Sequence, residues 1–126
     1  MAAKLGNKQA SDRRKKAERR GRRAEFAAII ALLIKGYRIS AWRYRTKLGE
    51  VDIIARRGTL IAVIEVKARP TVAECVDAVT RTAQSRIAAA ADHWLARQKA
   101  PHEHSVRYDI MAVCPWRWPE HLEDCW

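Results

Sequence analysis

The stretch Gly49-Glu50-Val51-Asp52-Ile53-Ile54-Ala55-Arg56-Arg57-Gly58-Thr59-Leu60-Ile61-Ala62-Val63-Ile64-Glu65-Val66-Lys67 decides the fold. Two runs rich in Val and Ile, residues 51–56 and 60–66, flank Arg57-Gly58, and this spacing predicts a tight β-hairpin. Charged residues inside such runs are expensive, because a buried carboxylate needs a partner or a metal. With a two-residue turn at Arg57-Gly58, Asp52 faces Val63 and Glu50 faces Glu65. Opposed side chains share a face and alternation adds every second residue, so Glu50, Asp52, Glu65 and Lys67 are expected on one side of the sheet. Three carboxylates there repel one another without a cation. A hard divalent ion resolves the repulsion, and Mg2+ prefers one or two carboxylates with waters and substrate phosphates. Lys67 would then orient an attacking water or stabilise charge developing on a phosphate. The same spacing also fits a half-exposed hairpin whose polar face is solvated, with Lys67 paired to a neighbouring acid. Spacing alone does not choose between the two.

Beyond the hairpin, 126 residues are one domain's worth, and 48% hydrophobic with 31% charged residues supports a packed core rather than wholesale disorder. Lys and Arg total 25 against 14 Asp and Glu, a net charge of +11. The surplus is uneven: residues 1–23 carry ten basic and two acidic side chains, the remainder fifteen and twelve. Such an arm suits a phosphate backbone, each neutralised phosphate adding about −0.9 to the log–log salt slope. A solvated charge run or an anionic membrane surface fits it as well. No recognition-helix or zinc-finger pattern appears, so nucleic-acid binding would rest on backbone and shape. No segment approaches the ~20 apolar residues of a membrane span, and no signal peptide is expected. Three cysteines, Cys75, Cys114 and Cys125, form no CxxC pair. That usage predicts neither a disulfide framework nor a zinc ribbon and fits a reducing cytoplasm.

Residues 1–20 read as a basic arm, flexible or partly helical, with Ser11 or Asp12 as a cap, and residues 21–126 as the folded domain. Residues 24–34 are apolar nearly all round, which predicts a helix buried on most sides and closed by Gly36. Three strands come next, over 37–44, 51–56 and 60–66. Thr71-x-x-Glu74 is a capping-box pattern, and 81–98 shows an apolar stripe at helical spacing. Val106, Tyr108, Ile110 and Ala112 alternate as a fourth strand, and Pro115 and Pro119 interrupt any regular element beyond it.

The motifs in order, Gly21-x-x-Ala24-Glu25, Gly36-Tyr37, Gly49-Glu50-Val51-Asp52-Ile53-Ile54-Ala55, Glu65-Val66-Lys67-x-Arg69, Gln84-x-Arg86 and Arg107-Tyr108-Asp109, resemble the YraN-type family of bacterial proteins. That family is similar to Holliday-junction resolvases of the PD-(D/E)XK nuclease superfamily. The resemblance covers roughly residues 20–126, and His121-Leu122-Glu123 fits the family's closing motif. It implies a restriction-endonuclease-like α/β fold, helix–three strands–helix–strand around a mixed central sheet. It also implies an endonuclease hydrolysing DNA phosphodiesters, branched or structured DNA among them, with Mg2+ or Mn2+ as cofactor. The alternative is a non-catalytic nucleic-acid-binding protein that retains the nuclease fold. The oligomeric state stays open, a homodimer included.

Residue by residue, the resemblance implies Asp52, Glu65 and the Val66 carbonyl as metal ligands, Lys67 as the catalytic lysine, and Glu25 as the first-helix acid holding a water. Glu25 shares a helical stripe with Ala28, Ile29 and Leu32, which turns it toward a core. An ordinary first-turn acid is its alternative reading. Gln84 borders the apolar stripe of the second helix and is a further candidate for the pocket. Ala83 departs from the pattern, since family members commonly carry lysine there. Arg107 and Asp109 read as a structural pair, His102 and His104 as exposed loop residues, and the cysteines as small buried hydrophobes. Trp116-Arg117-Trp118 reads either as a packed chain terminus or as a platform for unpaired bases.

Overall fold

The computed structural model describes residues 2–126, with side chains from residue 6 onward. The hairpin forms strands β2 (Glu50–Arg57) and β3 (Leu60–Ala68). Its turn is Gly58-Thr59 rather than Arg57-Gly58, because Arg57 pairs with Leu60 and Ile53 with Ile64. Gly58 takes φ +62°, which the first position of a two-residue turn needs and glycine supplies without strain. The expected pairing of Asp52 with Val63 and of Glu50 with Glu65 is thereby corrected: the register leads Asp52 toward Glu65. Moving a turn by one residue shifts the partners by two, so side-chain parity is kept.

The hairpin sits inside a five-stranded sheet of order β1-β2-β3-β4-β5. Strand β1 (Arg38–Arg45) precedes it; β4 (Ser105–Val113) and β5 (Glu120–Leu122) come after. Strands β3 and β4 are parallel and the other neighbours antiparallel, so the chain is a mixed α/β single domain. The parallel pair requires a crossover, supplied by α2 (Val72–Asp77) and α3 (Arg81–Ala96). Thr71 caps α2 by accepting the Glu74 N–H, and Thr80 caps α3 by accepting that of Ala83. Strand β5 is not expected from the sequence: three residues directly after Pro119 carry too short a pattern to read.

Helix α1 (Ala2–Ile34) covers one face of the sheet, packing Ala24, Ala28, Ala31 and Leu32 on Ile53, Ala55, Ile64 and Met111. Helix α3 covers the other with Ile87, Ala90 and Ala91 on Val51, Ile54, Ile61 and Ile110. Gly36 at φ +90° closes α1, with Tyr37 N–H donating to the Leu32 carbonyl and Gly36 N–H to that of Leu33. Two expectations for α1 are corrected. The helix does not begin near Ser11; it runs unbroken from Ala2, since Ala, Lys, Arg and Gln favour helix and no proline interrupts. Nor is it buried on most sides, because Phe26, Ile30, Leu33 and Ile34 remain exposed. Only one stripe, Ala24, Ala28 and Ala31 with Leu32, meets the sheet. Among the described residues no helix is long and apolar enough to cross a membrane.

Where β4 and β5 meet the end of α1 lies a buried polar knot. Asp109 is fully buried and takes two hydrogen bonds from Arg107 (2.8 and 2.7 Å), one from His121 Nε2 (2.8 Å) and one from the Asp124 N–H (3.0 Å). Burial alone would raise its pKa; the donors outweigh that and hold the carboxyl at about 2. Arg107 also donates to the Tyr37 hydroxyl at 2.9 Å, tying the end of α1 to β4. Asp109→Asn should cost about 3 kcal/mol in denaturant unfolding, because the half-buried Arg107 loses the buried carboxylate that takes two of its hydrogen bonds. The carboxyl is depressed, so its stabilisation is present above pH 3.8, its ordinary value, and is lost as pH falls through about 2. Melting scans at pH 4 and pH 2 should show this loss in the wild type and not in the variant.

Candidate active site

The β2–β3 ladder pairs Ile53 through Arg57 with Leu60 through Ile64 and then opens. At the opening the Asp52 carboxylate replaces a backbone acceptor: its Oδ2 accepts the Val66 N–H at 2.8 Å. Alternation breaks at the same residue. Val51 packs toward α3, whereas Ile53, two positions on, packs toward α1. Because the strands part there, Glu65, Val66 and Lys67, which a closed sheet would divide between its faces, line one cavity with Asp52.

That cavity, about 560 Å³, is roofed by α1 through Arg20, Gly21, Ala24 and Glu25. A second cavity of about 390 Å³ adjoins it through Gly21, Glu25, Glu50 and Asp52 and adds Arg22, Arg43 and Arg45. Gly49 admits the loop that carries Glu50: a Cβ there would stand 2.2 Å from the Arg86 carbonyl oxygen of α3. Thr46 fastens the same loop, its hydroxyl donating to the Gly49 carbonyl at 3.0 Å.

Glu25, Asp52, Glu65 and Lys67 therefore surround one cleft, with Val66 held in it by Asp52. Gln84 does not join them. It lies on the α3 side and donates to the Val79 carbonyl at 3.3 Å, so the cleft is built without it. Nor do the acids act as three bare charges. Glu50 is exposed and pairs with Arg45 at 3.5 Å. Glu25 Oε2 accepts from Arg43 (Nη2 2.7 Å, Nε 2.8 Å) and from Trp42 Nε1 at 3.1 Å. What remains is the Asp52–Glu65 pair. Burial, then a hydrogen bond to Asp52 and the charge of Asp52, push the Glu65 carboxyl up to about 10.

Sequence reading missed Arg43 and Trp42. Arg43 lies where the β1–β2 register, Trp42 with Ile53 and Tyr44 with Val51, sets it opposite Asp52. It takes φ +54°, a conformation that carries strain for a side chain of this size. No local signal announces a left-handed arginine within a strand. Cys75 and Cys114 are buried as expected, and the Cys75 thiol donates to the Lys67 carbonyl at 3.4 Å, steadying the strand beside the site.

Residues 24–113 match the sequence model of the uncharacterised protein family UPF0102. The chain belongs to UPF0102. That family is the YraN-type family whose motifs the sequence carries. A UPF0102 protein of Rhizobium meliloti is 62% identical over 112 residues, covering 89% of this chain and 92% of the relative. One from Sinorhizobium fredii gives the same figures, and one from Agrobacterium fabrum is 56% identical over 114 residues, 90% of this chain and 93% of its own length. The UPF0102 match contains Glu25, Asp52, Glu65 and Lys67, and excludes the basic start of α1 and the turn after β4.

The Asp52–Glu65 pair makes a pH-dependent statement about stability. Between about pH 4.5 and 10 the native state keeps a proton on Glu65 that the unfolded chain releases. Metal-free stability should thus be greatest below pH 4.5, as far as this group is concerned, and fall as pH rises, by up to about 1.4 kcal/mol per pH unit. Melting at pH 5, 7 and 9 in chelator should show this decline in the wild type, while Glu65→Gln should be flatter and more stable at pH 9. Parallel pH profiles for the two proteins would contradict the assignment.

Proposed function

We propose that this chain is a metal-dependent endonuclease of the restriction-endonuclease-like kind, hydrolysing phosphodiesters in DNA. The single observation that carries the reading is the opening of the β2–β3 ladder, where Asp52 and Glu65 converge beside Lys67 in a cleft roofed by a basic helix. Two carboxylates held together, with the Asp52 charge helping to raise the Glu65 carboxyl, form a hard-oxygen donor set, which suits Mg2+ or Mn2+. Among the described residues no three His, Cys, Asp or Glu side chains cluster closely enough to hold a metal by themselves. Asp52, Glu65 and the Val66 carbonyl would therefore share an ion with waters and a substrate phosphate. The chemistry a divalent cation would supply there is charge neutralisation at the scissile phosphate and a more acidic water.

The chain's own residues do the rest. Lys67 reaches into the cleft from the same strand as Glu65 and would orient the attacking water or stabilise charge growing on the phosphate. Glu25, gripped on Oε2 by Arg43 and Trp42, gives α1 a fixed position over the site. Arg20 and Arg69 line the same cavity and would bind flanking phosphates. Helix α1 continues outward with its residues 6–23 exposed and rich in Lys and Arg, an electrostatic guide for a polyanion.

One observation favours a second reading, a nucleic-acid-binding protein that retains the fold without cleaving. The ion pair with Arg43 occupies an oxygen of Glu25 that would otherwise hold a water. A nicking assay on supercoiled, linear, branched and single-stranded DNA decides between the two. The enzyme reading predicts cleavage that requires Mg2+ or Mn2+ and falls at least ~10²-fold in both Asp52→Asn and Lys67→Ala. Absence of cleavage of every DNA form by the wild type would leave the binding reading.

A further inference from the structure

The turn that leaves β4 is built against the usual preferences of its residues. Arg117 N–H donates to the Cys114 carbonyl at 3.4 Å, closing a four-residue turn with Pro115 second and Trp116 third. Trp116 takes φ +61° there, where glycine is the unstrained choice. Its side chain is also completely exposed, at 102%, and Trp118 nearby is 62% exposed. Trp94 and Trp126, by contrast, pack into the core on the α3 side. A tryptophan that is both strained and unburied gains no burial from its place in the fold, and its open ring is available to a contact outside the chain.

Beside this turn lies a cavity of about 430 Å³ with Arg20, Arg23 and Arg69 around Pro70, Val113 and Pro115. No acidic side chain lines it. It shares Arg20, Ala24, Ala68, Arg69 and Pro70 with the cavity of Asp52, Glu65 and Lys67, so the two form one path across the molecule. Walking outward from the carboxylates, the path meets cations and then an apolar floor that ends at Pro115, the residue before Trp116.

We infer that this path is a subsite for unpaired nucleotides flanking the phosphate held in the cleft, with a base stacked on Trp116 and its phosphates on Arg20, Arg23 and Arg69. The inference rests on the nucleic-acid reading proposed above and narrows it to strands with unpaired bases beside the cleft, as at a fork, flap or branch. Charge fits the occupant, since three arginines without an acid match a phosphate chain. The exposed indole fits it too, because an unpaired base has its faces free for stacking whereas a base inside a duplex does not, and such stacking is sequence-tolerant.

Fluorescence anisotropy with the full chain, in chelator and at one fixed salt concentration, tests it with two probes: a labelled single strand without self-complementarity and the blunt duplex it forms with its complement. Trp116→Gly removes the ring and relieves the backbone, so its melting temperature should equal or exceed that of the wild type. The single-strand to duplex affinity ratio should fall about tenfold in Trp116→Gly and be largely restored in Trp116→Phe. An unchanged ratio in Trp116→Gly, or no rescue by Trp116→Phe, overturns the subsite while leaving the nucleic-acid reading intact. A lowered melting temperature in Trp116→Gly makes Trp116 a structural residue and likewise overturns it. Failure of the wild type to bind either probe removes both readings together.

Discussion

One hydrogen bond, from the Val66 N–H to the Asp52 carboxylate, sets the rest of the molecule's arrangement. In a closed hairpin that amide would meet a backbone carbonyl of β2 and the sheet would continue flat. Here a side chain serves instead, the strands part, and Glu65 and Lys67 become reachable from one cleft. The exchange keeps the buried amide satisfied, so opening the ladder leaves no orphan donor behind. It also brings two carboxylates together, and burial, with the hydrogen bond to Asp52 and its charge, raises the pKa of Glu65.

Neighbouring elements hold the opening in place. Opposite Asp52, Arg43 adopts a left-handed backbone and sends its guanidinium to Glu25, which fixes α1 over the gap. On the other side Gly49 lets the β1–β2 loop press against the Arg86 backbone of α3. Strain at Arg43 and the close approach at Gly49 are offset by the two apolar clusters on either face of the sheet. The polar knot at Asp109 lies apart from the cleft and ties the end of α1 to β4 and β5, so the roof of the site is anchored at both ends.

Much of this was legible in the sequence. Acids placed in apolar strands named Asp52 and Glu65, and the Val/Ile runs gave the hairpin. Parity survived an error in placing the turn, because a turn moved by one residue shifts partners by two. Other features were not legible, each for a physical reason. Opening of the ladder depends on a side chain competing with a backbone carbonyl, which hydrophobic periodicity does not encode. The φ of Arg43 is a tertiary effect with no local signature. Residues 24–34 look buried all round by composition, yet α1 meets the sheet along one stripe of alanines with Leu32, leaving Phe26 and Ile34 outside. Gln84 sits at the border of an apolar stripe, and only the structure shows its amide spent on the Val79 carbonyl.

The account stands on the claim that the open end of the β2–β3 ladder is a cation site made by Asp52 and Glu65, with Lys67 acting beside it rather than on the ion. Calorimetric titration of Mn2+ into the metal-free protein tests this most directly. The account predicts one bound ion for the wild type, loss of that binding in Asp52→Asn, and its retention in Lys67→Ala. Absence of binding by the wild type, or binding that Asp52→Asn leaves unchanged, would contradict it.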